Sequence, residues 1–160
     1  MWEVTEELMD LYLVRHGKAE SEVKDPRRPL SPQGREEIAR VARAAVKKGM
    51  SATRILHSDK LRAKETAEIL AGTVHPAEGV CEINGLAPED DPVLIKNEAE
   101  IEGEPLILVG HLPHLERLLS LLVDRNGDAQ TVSFLTGTVV CLRQENAQWK
   151  VQWALHPDGV

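Results

Sequence analysis

Aromatic residues are scarce in this sequence of 160 residues, which contains three tryptophans, one tyrosine and one phenylalanine. Proteins that bind single-stranded nucleic acids stack the bases on aromatic side chains, and this composition supplies no such platform. The formal net charge of -7 points the same way, because nucleic acids and anionic membranes attract basic surfaces. We therefore expect neither a nucleic acid nor a membrane as a partner.

Cysteine is also rare, and long apolar runs are missing. Cys81 and Cys141 lie far apart and lack the paired spacing of metal or redox motifs, so we expect two buried free thiols. No apolar run approaches the roughly 20 residues that a membrane-spanning helix requires. Residues 1–7 are acidic and do not resemble a signal peptide. These features predict a cytoplasmic protein.

The length of the sequence predicts one domain over residues 1–160, with no repeat or linker to divide it. The negative charge is concentrated between Glu82 and Glu104, where eight acidic residues accompany Lys96 alone. The expected explanation is a solvated helix face with its flanking loops. A docking surface for a basic partner is the alternative.

Short apolar runs alternate with longer helical patterns along most of the chain. Buried strands are predicted at Leu11–Val14, Ile55–Leu56 and Leu106–Val109. Such alternation predicts an α/β fold, a three-layer α/β/α sandwich with a mainly parallel central sheet. Towards the end of the chain, Val139–Leu142 and Lys150–Ala154 indicate an antiparallel hairpin that could extend the sheet at one edge.

Three helices can be placed between these strands. Ser31 is the predicted N-cap of the first, with Pro32 as its first residue and Gly49 at its end. Asp59 is the predicted cap of the second, which Gly72 closes. A regular leucine pattern predicts the third from Leu112 to Val123.

Basic and polar residues directly follow each of the three predicted strands. They are Arg15-His16-Gly17, then His57-Ser58-Asp59 with Arg62 one turn later, and Gly110-His111. Ligands of open α/β sheets bind outside the carboxyl ends of the strands, so these segments should converge. Two imidazoles and two guanidiniums in one pocket repel each other unless an anion neutralises them. A phosphoryl group is the predicted ligand.

The segments that carry this chemistry resemble those of a known family. They comprise residues 11–19, residues 25–31 with Gly34, residues 57–67 and residues 108–115. The chain is similar here to the histidine phosphatase superfamily, which has a phosphoglycerate mutase-like fold. The Arg28-Pro29-Leu30-Ser31 segment and the short length favour its SixA-type phosphohistidine phosphatase branch.

This resemblance implies a role for each residue of the pocket. His16 would be the nucleophile and carry a phosphohistidine intermediate, while Arg15, Arg62 and His111 would stabilise the phosphoryl oxygens. Gly17, Lys18 and Arg28 would help to bind the substrate. Many members place a glutamate as general acid at a position that Glu82 could occupy here, although SixA-like members depart from that pattern. No metal and no cofactor are implied.

The favoured partner is therefore a phosphorylated protein, with phosphohistidine as the substrate. A small phosphorylated metabolite, such as a sugar phosphate or nucleotide, is the alternative substrate, and a non-catalytic phosphate-binding module is the alternative function. A metal site at His111 and His114, with Glu116 nearby, is a further hypothesis. The sequence leaves the oligomeric state open, and a monomer is compatible with it.

Overall fold

A six-stranded sheet forms the centre of the computed structural model, which describes residues 8–123 and 132–160. Its strands lie in the order β3-β2-β4-β1-β5-β6. β1 to β4 are parallel to one another where they pair, whereas β5 pairs antiparallel with both β1 and β6. The strands are β1 (Met9–Arg15), β2 (Arg54–His57), β3 (Val80–Glu82), β4 (Leu106–Gly110), β5 (Val139–Glu145) and β6 (Gln148–Leu155).

Four α-helices cover the two faces of the sheet. They are α1 (Pro32–Lys47), α2 (Leu61–Val74), α3 (Pro92–Glu102) and α4 (His114–Val123), and a short 3-10 helix follows at Pro157–Gly159. α1 and α2 pack in one apolar cluster, while α3 and α4 pack in another on the opposite face. The predicted three-layer α/β/α architecture and the C-terminal antiparallel hairpin are both confirmed.

Alternation along β1 shows why both faces are covered. Leu11 and Leu13 belong to the cluster with α3 and α4, whereas Tyr12 and Val14 belong to the cluster with α1 and α2. Successive strand residues point to opposite faces, so a strand that is apolar throughout must be buried on both. The continuous apolar runs of the sequence therefore specify the middle layer.

The helix boundaries confirm one predicted cap and correct three other predictions. Ser31 caps α1, since its side chain accepts a hydrogen bond from the Gly34 N–H at 3.0 Å. The prediction for Asp59 is wrong: α2 begins at Leu61, and the Lys60 N–H donates instead to Ser58 Oγ at 3.3 Å. The predicted end at Gly72 is also wrong, because α2 continues to Val74. α4 begins at His114 rather than near Leu112, because a residue that precedes a proline disfavours helical backbone.

The remaining structural expectations have mixed outcomes. Cys141 is a buried free thiol as predicted, but Cys81 is exposed because β3 is an edge strand. In the acidic segment, α3 buries only Ile95 and Ala99 of its residues, which agrees with a largely solvated helix. Among the described residues, no helix is long and apolar enough to cross a membrane.

Candidate active site

The predicted convergence of strand ends occurs at the carboxyl edge of β1, β4 and β2. Arg15 and Gly110 are register partners at the ends of β1 and β4. The pairing continues one residue further, since the His16 N–H donates to the Gly110 carbonyl oxygen at 3.1 Å. His16 and His111 therefore leave adjacent strands side by side, and their ring centroids lie 4.9 Å apart.

The His16 ring is held in one defined protonation state. Its Nδ1 lies 2.7 Å from the Gly17 carbonyl oxygen, which can only accept a hydrogen bond. Nδ1 therefore carries the proton, and Nε2 keeps its lone pair. Burial is the main cause that lowers the pKa of His16 from 6.5 to about 4; the charges of Arg62 and Arg15 contribute to this lowering, and the hydrogen bond to Gly17 opposes it. His16 is thus a neutral imidazole with a nucleophilic nitrogen at pH 7.

His111 is the second imidazole of the pocket and is only 2% exposed. Its Nε2 lies 2.6 Å from Ser58 Oγ, at the end of β2. Burial lowers the pKa of His111 from 6.5 to about 3, with smaller contributions from His16 and Arg62. This imidazole is therefore also neutral at pH 7.

Arg15 and Arg62 bring two guanidinium groups to the same place. Arg15 is anchored by its Nη1, which donates to the Phe134 carbonyl oxygen at 2.7 Å. Burial lowers the pKa of Arg15, and burial followed by the charge of Arg28 lowers the pKa of Arg62. Both arginines have a buried Nε without a partner among the described residues. An anion in the pocket would offset the repulsion between the positive charges of the arginines. It would also accept hydrogen bonds from their unpaired Nε–H groups.

These side chains surround an open cavity of about 460 Å³. Within residues 8–123 and 132–160, no aspartate or glutamate lines it. Its lining consists of Arg15, His16, Lys18, Ala19, Arg28, Ser31, Arg62, Pro88, His111, Leu112 and Thr136. The cavity is consequently rich in positive charge, although the chain as a whole is acidic.

Two cations at the rim are fixed by local contacts. Lys18 Nζ lies 3.3 Å from the Glu37 carboxylate, which is itself buried. Arg28 adopts a left-handed backbone with φ of 50°, and its Nε donates to the Glu20 carbonyl oxygen at 3.1 Å. Backbone strain of this kind at a non-glycine residue persists only where surrounding contacts hold it. The loop therefore presents Arg28 to the cavity in a fixed position.

Two residues of the predicted site do not line the cavity. Gly17 donates its N–H to Thr66 Oγ1 at 3.1 Å, and a Cβ there would lie 2.8 Å from Ile38 Cγ1. Its missing side chain thus allows close packing on α1 rather than ligand contact. Glu82 ends the edge strand β3 and is exposed, outside the cavity.

The structure also gives contacts to residues for which the sequence predicted no role in the site. Ser58 contacts His111, Thr66 supports Gly17, and Thr136 lines the cavity. The strand-end rule included Ser58 in a converging segment but predicted no contact for its side chain. Thr66 lies one helical turn after Arg62, and that spacing is the signal for its position on the same helix face. Thr136 belongs to a loop with no comparable signal.

The metal hypothesis gains no support from the arrangement of side chains. His114 is completely buried on α4 and does not line the cavity. In the part of the chain that the structure describes, no three histidine, cysteine, aspartate or glutamate side chains are grouped as a metal site would require.

Comparison with known proteins agrees with the pocket. The family model described as histidine phosphatase superfamily (branch 1) matches residues 11–93, which include most of β1 and all of β2, β3, α1 and α2. The chain belongs to the histidine phosphatase superfamily. An uncharacterised protein of Picosynechococcus sp. is 36% identical over 118 residues, which cover 67% of this chain and 68% of that protein.

Solved structures share the fold at lower sequence identity. The protein histidine phosphatase SixA complexed with tungstate has a TM-score of 0.83 at 23% identity, covering 94% of this chain and 98% of that one. An alpha-ribazole phosphatase from Shigella flexneri has a TM-score of 0.69 at 15% identity, covering 90% and 95%. A mycobacterial glucosyl-3-phosphoglycerate phosphatase has 0.68 at 15%, covering 91% and 98%. The family and the fold together support phosphatase activity. The structural neighbours include phosphatases that are named for small-molecule substrates.

Proposed function

We propose that this protein is a phosphatase that uses His16 as its nucleophile and acts on phosphohistidine in proteins. The observation that carries the proposal is the position of the His16 imidazole. Its free Nε2 belongs to a cavity that Arg15, Arg62 and His111 also line. A neutral nitrogen nucleophile surrounded by positive and neutral donors suits attack on a phosphoryl group.

The reaction has two displacements at phosphorus. In the first, the Nε2 lone pair of His16 forms a bond to phosphorus while the bond from phosphorus to the substrate nitrogen breaks. The substrate ring is already protonated on its other nitrogen and leaves as neutral imidazole, and His16 carries the phosphoryl group on Nε2. In the second, water attacks phosphorus, the electron pair of the broken bond returns to Nε2 of His16, and both protons of the water leave with the product as dihydrogen phosphate. The Nδ1–H bond to the Gly17 carbonyl oxygen keeps the His16 ring oriented throughout.

Charge on the equatorial phosphoryl oxygens is stabilised by Arg15, Arg62 and His111. Donors fixed before the reaction act more strongly than water, because they need no reorganisation as charge develops. Loss of one such donor typically costs roughly 3 to 4 kcal/mol of transition-state stabilisation. The arginines can supply this function without a metal or a cofactor.

The lining of the cavity favours phosphohistidine over phosphate esters. An alcohol leaving group needs a proton from a general acid, whereas the ring nitrogen of a protonated phosphoramidate leaves easily. The described residues that line the cavity include no carboxylate, and Glu82 lies outside it. The expected partner is consequently a phosphorylated protein.

Mass mapping of a trapped intermediate tests the nucleophile. The protein is incubated in EDTA with a phosphohistidine peptide, quenched, and searched for phosphate on His16. We expect an acid-labile phosphoenzyme in the wild type and in a His75→Asn control, whose substitution lies at the end of α2. His16→Asn should form none, and full turnover by that variant would refute the proposal.

Turnover rates on different substrates test the proposal that phosphohistidine is the substrate. We expect faster turnover of the phosphohistidine peptide than of sugar phosphates or nucleotides. The reverse order would assign the enzyme to small phosphate esters. Binding of inorganic phosphate without any product from any of these compounds would instead indicate a non-catalytic phosphate-binding module.

A further inference from the structure

Ser58 occupies an unusual position for a serine, because it is 1% exposed and contacts a functional imidazole. It follows β2, whereas His111 follows β4, and these two strands are parallel neighbours in the sheet. Ser58 Oγ lies 2.6 Å from His111 Nε2. The contact therefore joins residues that are 53 positions apart in the sequence.

The direction of this hydrogen bond follows from the other partner of Ser58. The Lys60 N–H donates to Ser58 Oγ at 3.3 Å, so the hydroxyl oxygen already acts as an acceptor. No acceptor other than His111 Nε2 is found for the hydroxyl proton among the described residues. A hydroxyl buried to this degree uses its proton, since an unsatisfied polar group in the interior is costly. The Ser58 O–H therefore donates to Nε2.

Donation to Nε2 determines where the proton of the neutral ring resides. A neutral imidazole has one donor and one acceptor nitrogen, so an accepting Nε2 requires a protonated Nδ1. Nδ1 of His111 is buried and has no partner among the described residues. The lowered pKa of His111 is consistent with a ring that stays neutral at pH 7. The unpaired Nδ1–H needs an acceptor, and a bound phosphoryl oxygen can provide it.

We propose that Ser58 is a positioning residue that holds His111 as the Nδ1–H tautomer, so that His111 acts as a neutral hydrogen-bond donor to the phosphoryl group. In the other tautomer, Nδ1 would present a lone pair to the anion and repel it. Ser58 is not among the residues that line the cavity, so it acts through His111 rather than on the substrate. The catalytic consequence rests on the proposed function, whereas the tautomer is a property of the protein alone.

The tautomer can be measured directly by long-range proton–nitrogen NMR correlation on ¹⁵N-histidine-labelled protein without ligand. We expect His111 of the wild type to be protonated at Nδ1. In Ser58→Ala this preference should be lost, and Ser58→Thr, which keeps the hydroxyl, should restore it. Ser120→Ala changes an exposed serine on α4 and is the matched control. Circular dichroism verifies that each variant is folded.

Kinetics supply the second measurement. Outer partners that orient metal-bound histidines are worth about 10- to 100-fold, and we expect a loss of that order in kcat for Ser58→Ala. KM should change much less, and Ser58→Thr should regain most of the rate. An Nε2–H tautomer in the wild type would overturn the proposal, as would a folded Ser58→Ala variant with an unchanged tautomer or rate. Absence of turnover in the wild type would refute the proposed function and leave the tautomer result standing.

Discussion

The N–H of His16 donates a hydrogen bond of 3.1 Å to the carbonyl oxygen of Gly110. This bond extends the pairing of β1 and β4 beyond the last residues of both strands. It fixes the backbone of His16 next to the residue that precedes His111. The distance between the two imidazoles is therefore set by the sheet rather than by flexible loops.

Replacement of Arg62 should slow the chemical step far more than it weakens binding of the substrate. Arg62 lines the cavity with a half-buried side chain, and we assign it to the phosphoryl oxygens of the transition state. Arg62→Met should lower kcat by about 100- to 1,000-fold, as expected for one lost donor. Arg28→Met removes a rim cation and should mainly raise KM. Steady-state kinetics on a phosphohistidine peptide compare the two variants, and equal effects on kcat would contradict this division.

Stability should decrease as the pH falls, because His16 is buried as a neutral ring. Its pKa is lowered from 6.5 to about 4, so the unfolded chain binds more protons between these two values. The free energy of unfolding should therefore fall as the pH decreases from 6.5 towards 4, by up to about 3 kcal/mol for this residue. Urea unfolding at several pH values measures the change.

His16→Gln supplies the control for this pH dependence, because glutamine does not titrate. The difference in unfolding free energy between wild type and variant should shrink or reverse between pH 7 and pH 4. Parallel curves over that range would show that His16 has an ordinary pKa in the folded protein.

Thr66 should be important for stability although it is outside the cavity lining. It accepts a hydrogen bond from the Gly17 N–H and donates one of 2.7 Å to the Arg62 carbonyl oxygen. Thr66→Val keeps the shape but leaves the buried Gly17 N–H unpaired, which should cost about 1 to 3 kcal/mol. Thr73→Val, on the same helix, should have a much smaller effect. Thermal unfolding of both variants provides the comparison, and similar losses would argue against the role of Thr66.

Gly34 and Gly72 should respond in opposite ways to alanine. A Cβ at Gly34 would overlap the carbonyl oxygen of Lys18, whereas a Cβ at Gly72 would meet nothing within 4 Å. Gly34→Ala should destabilise the protein by about 1 to 3 kcal/mol and displace the loop that carries Lys18. Gly72→Ala lies within α2 and should stabilise it by about 0.4 to 1 kcal/mol. Denaturant midpoints measure both, and a neutral Gly34→Ala would contradict the close packing.

The element pattern and most of the site were accessible from the sequence because both depend on short-range signals. Apolar runs such as Leu106–Val109 mark buried strands, and Ser31-Pro32 marks the start of α1. Arg15, His16 and His111 follow directly from the rule that strand ends carry the chemistry. The start of α2 at Leu61 was less accessible, since a cap depends on which side chain meets the free N–H groups. The start of α4 at His114, by contrast, follows from the local effect of Pro113 on Leu112.

Strand order and side-chain pairing required the tertiary structure. Nothing in the local sequence places β3 at the edge, and that position leaves Glu82 and Cys81 exposed and Glu82 away from the cavity. The packing role of Gly17 likewise depends on its contacts with Thr66 and Ile38, which belong to two different helices.

The sequence by itself determined the layered α/β fold and the basic and imidazole side chains that gather in the cavity, because periodicity and strand ends are local properties. The tertiary structure alone decided which groups touch: Ser58 with His111, Gly110 with His16, and no carboxylate among the described residues of the cavity lining. Such contacts depend on how neighbouring strands are ordered and registered, and that arrangement is fixed by packing of the whole core.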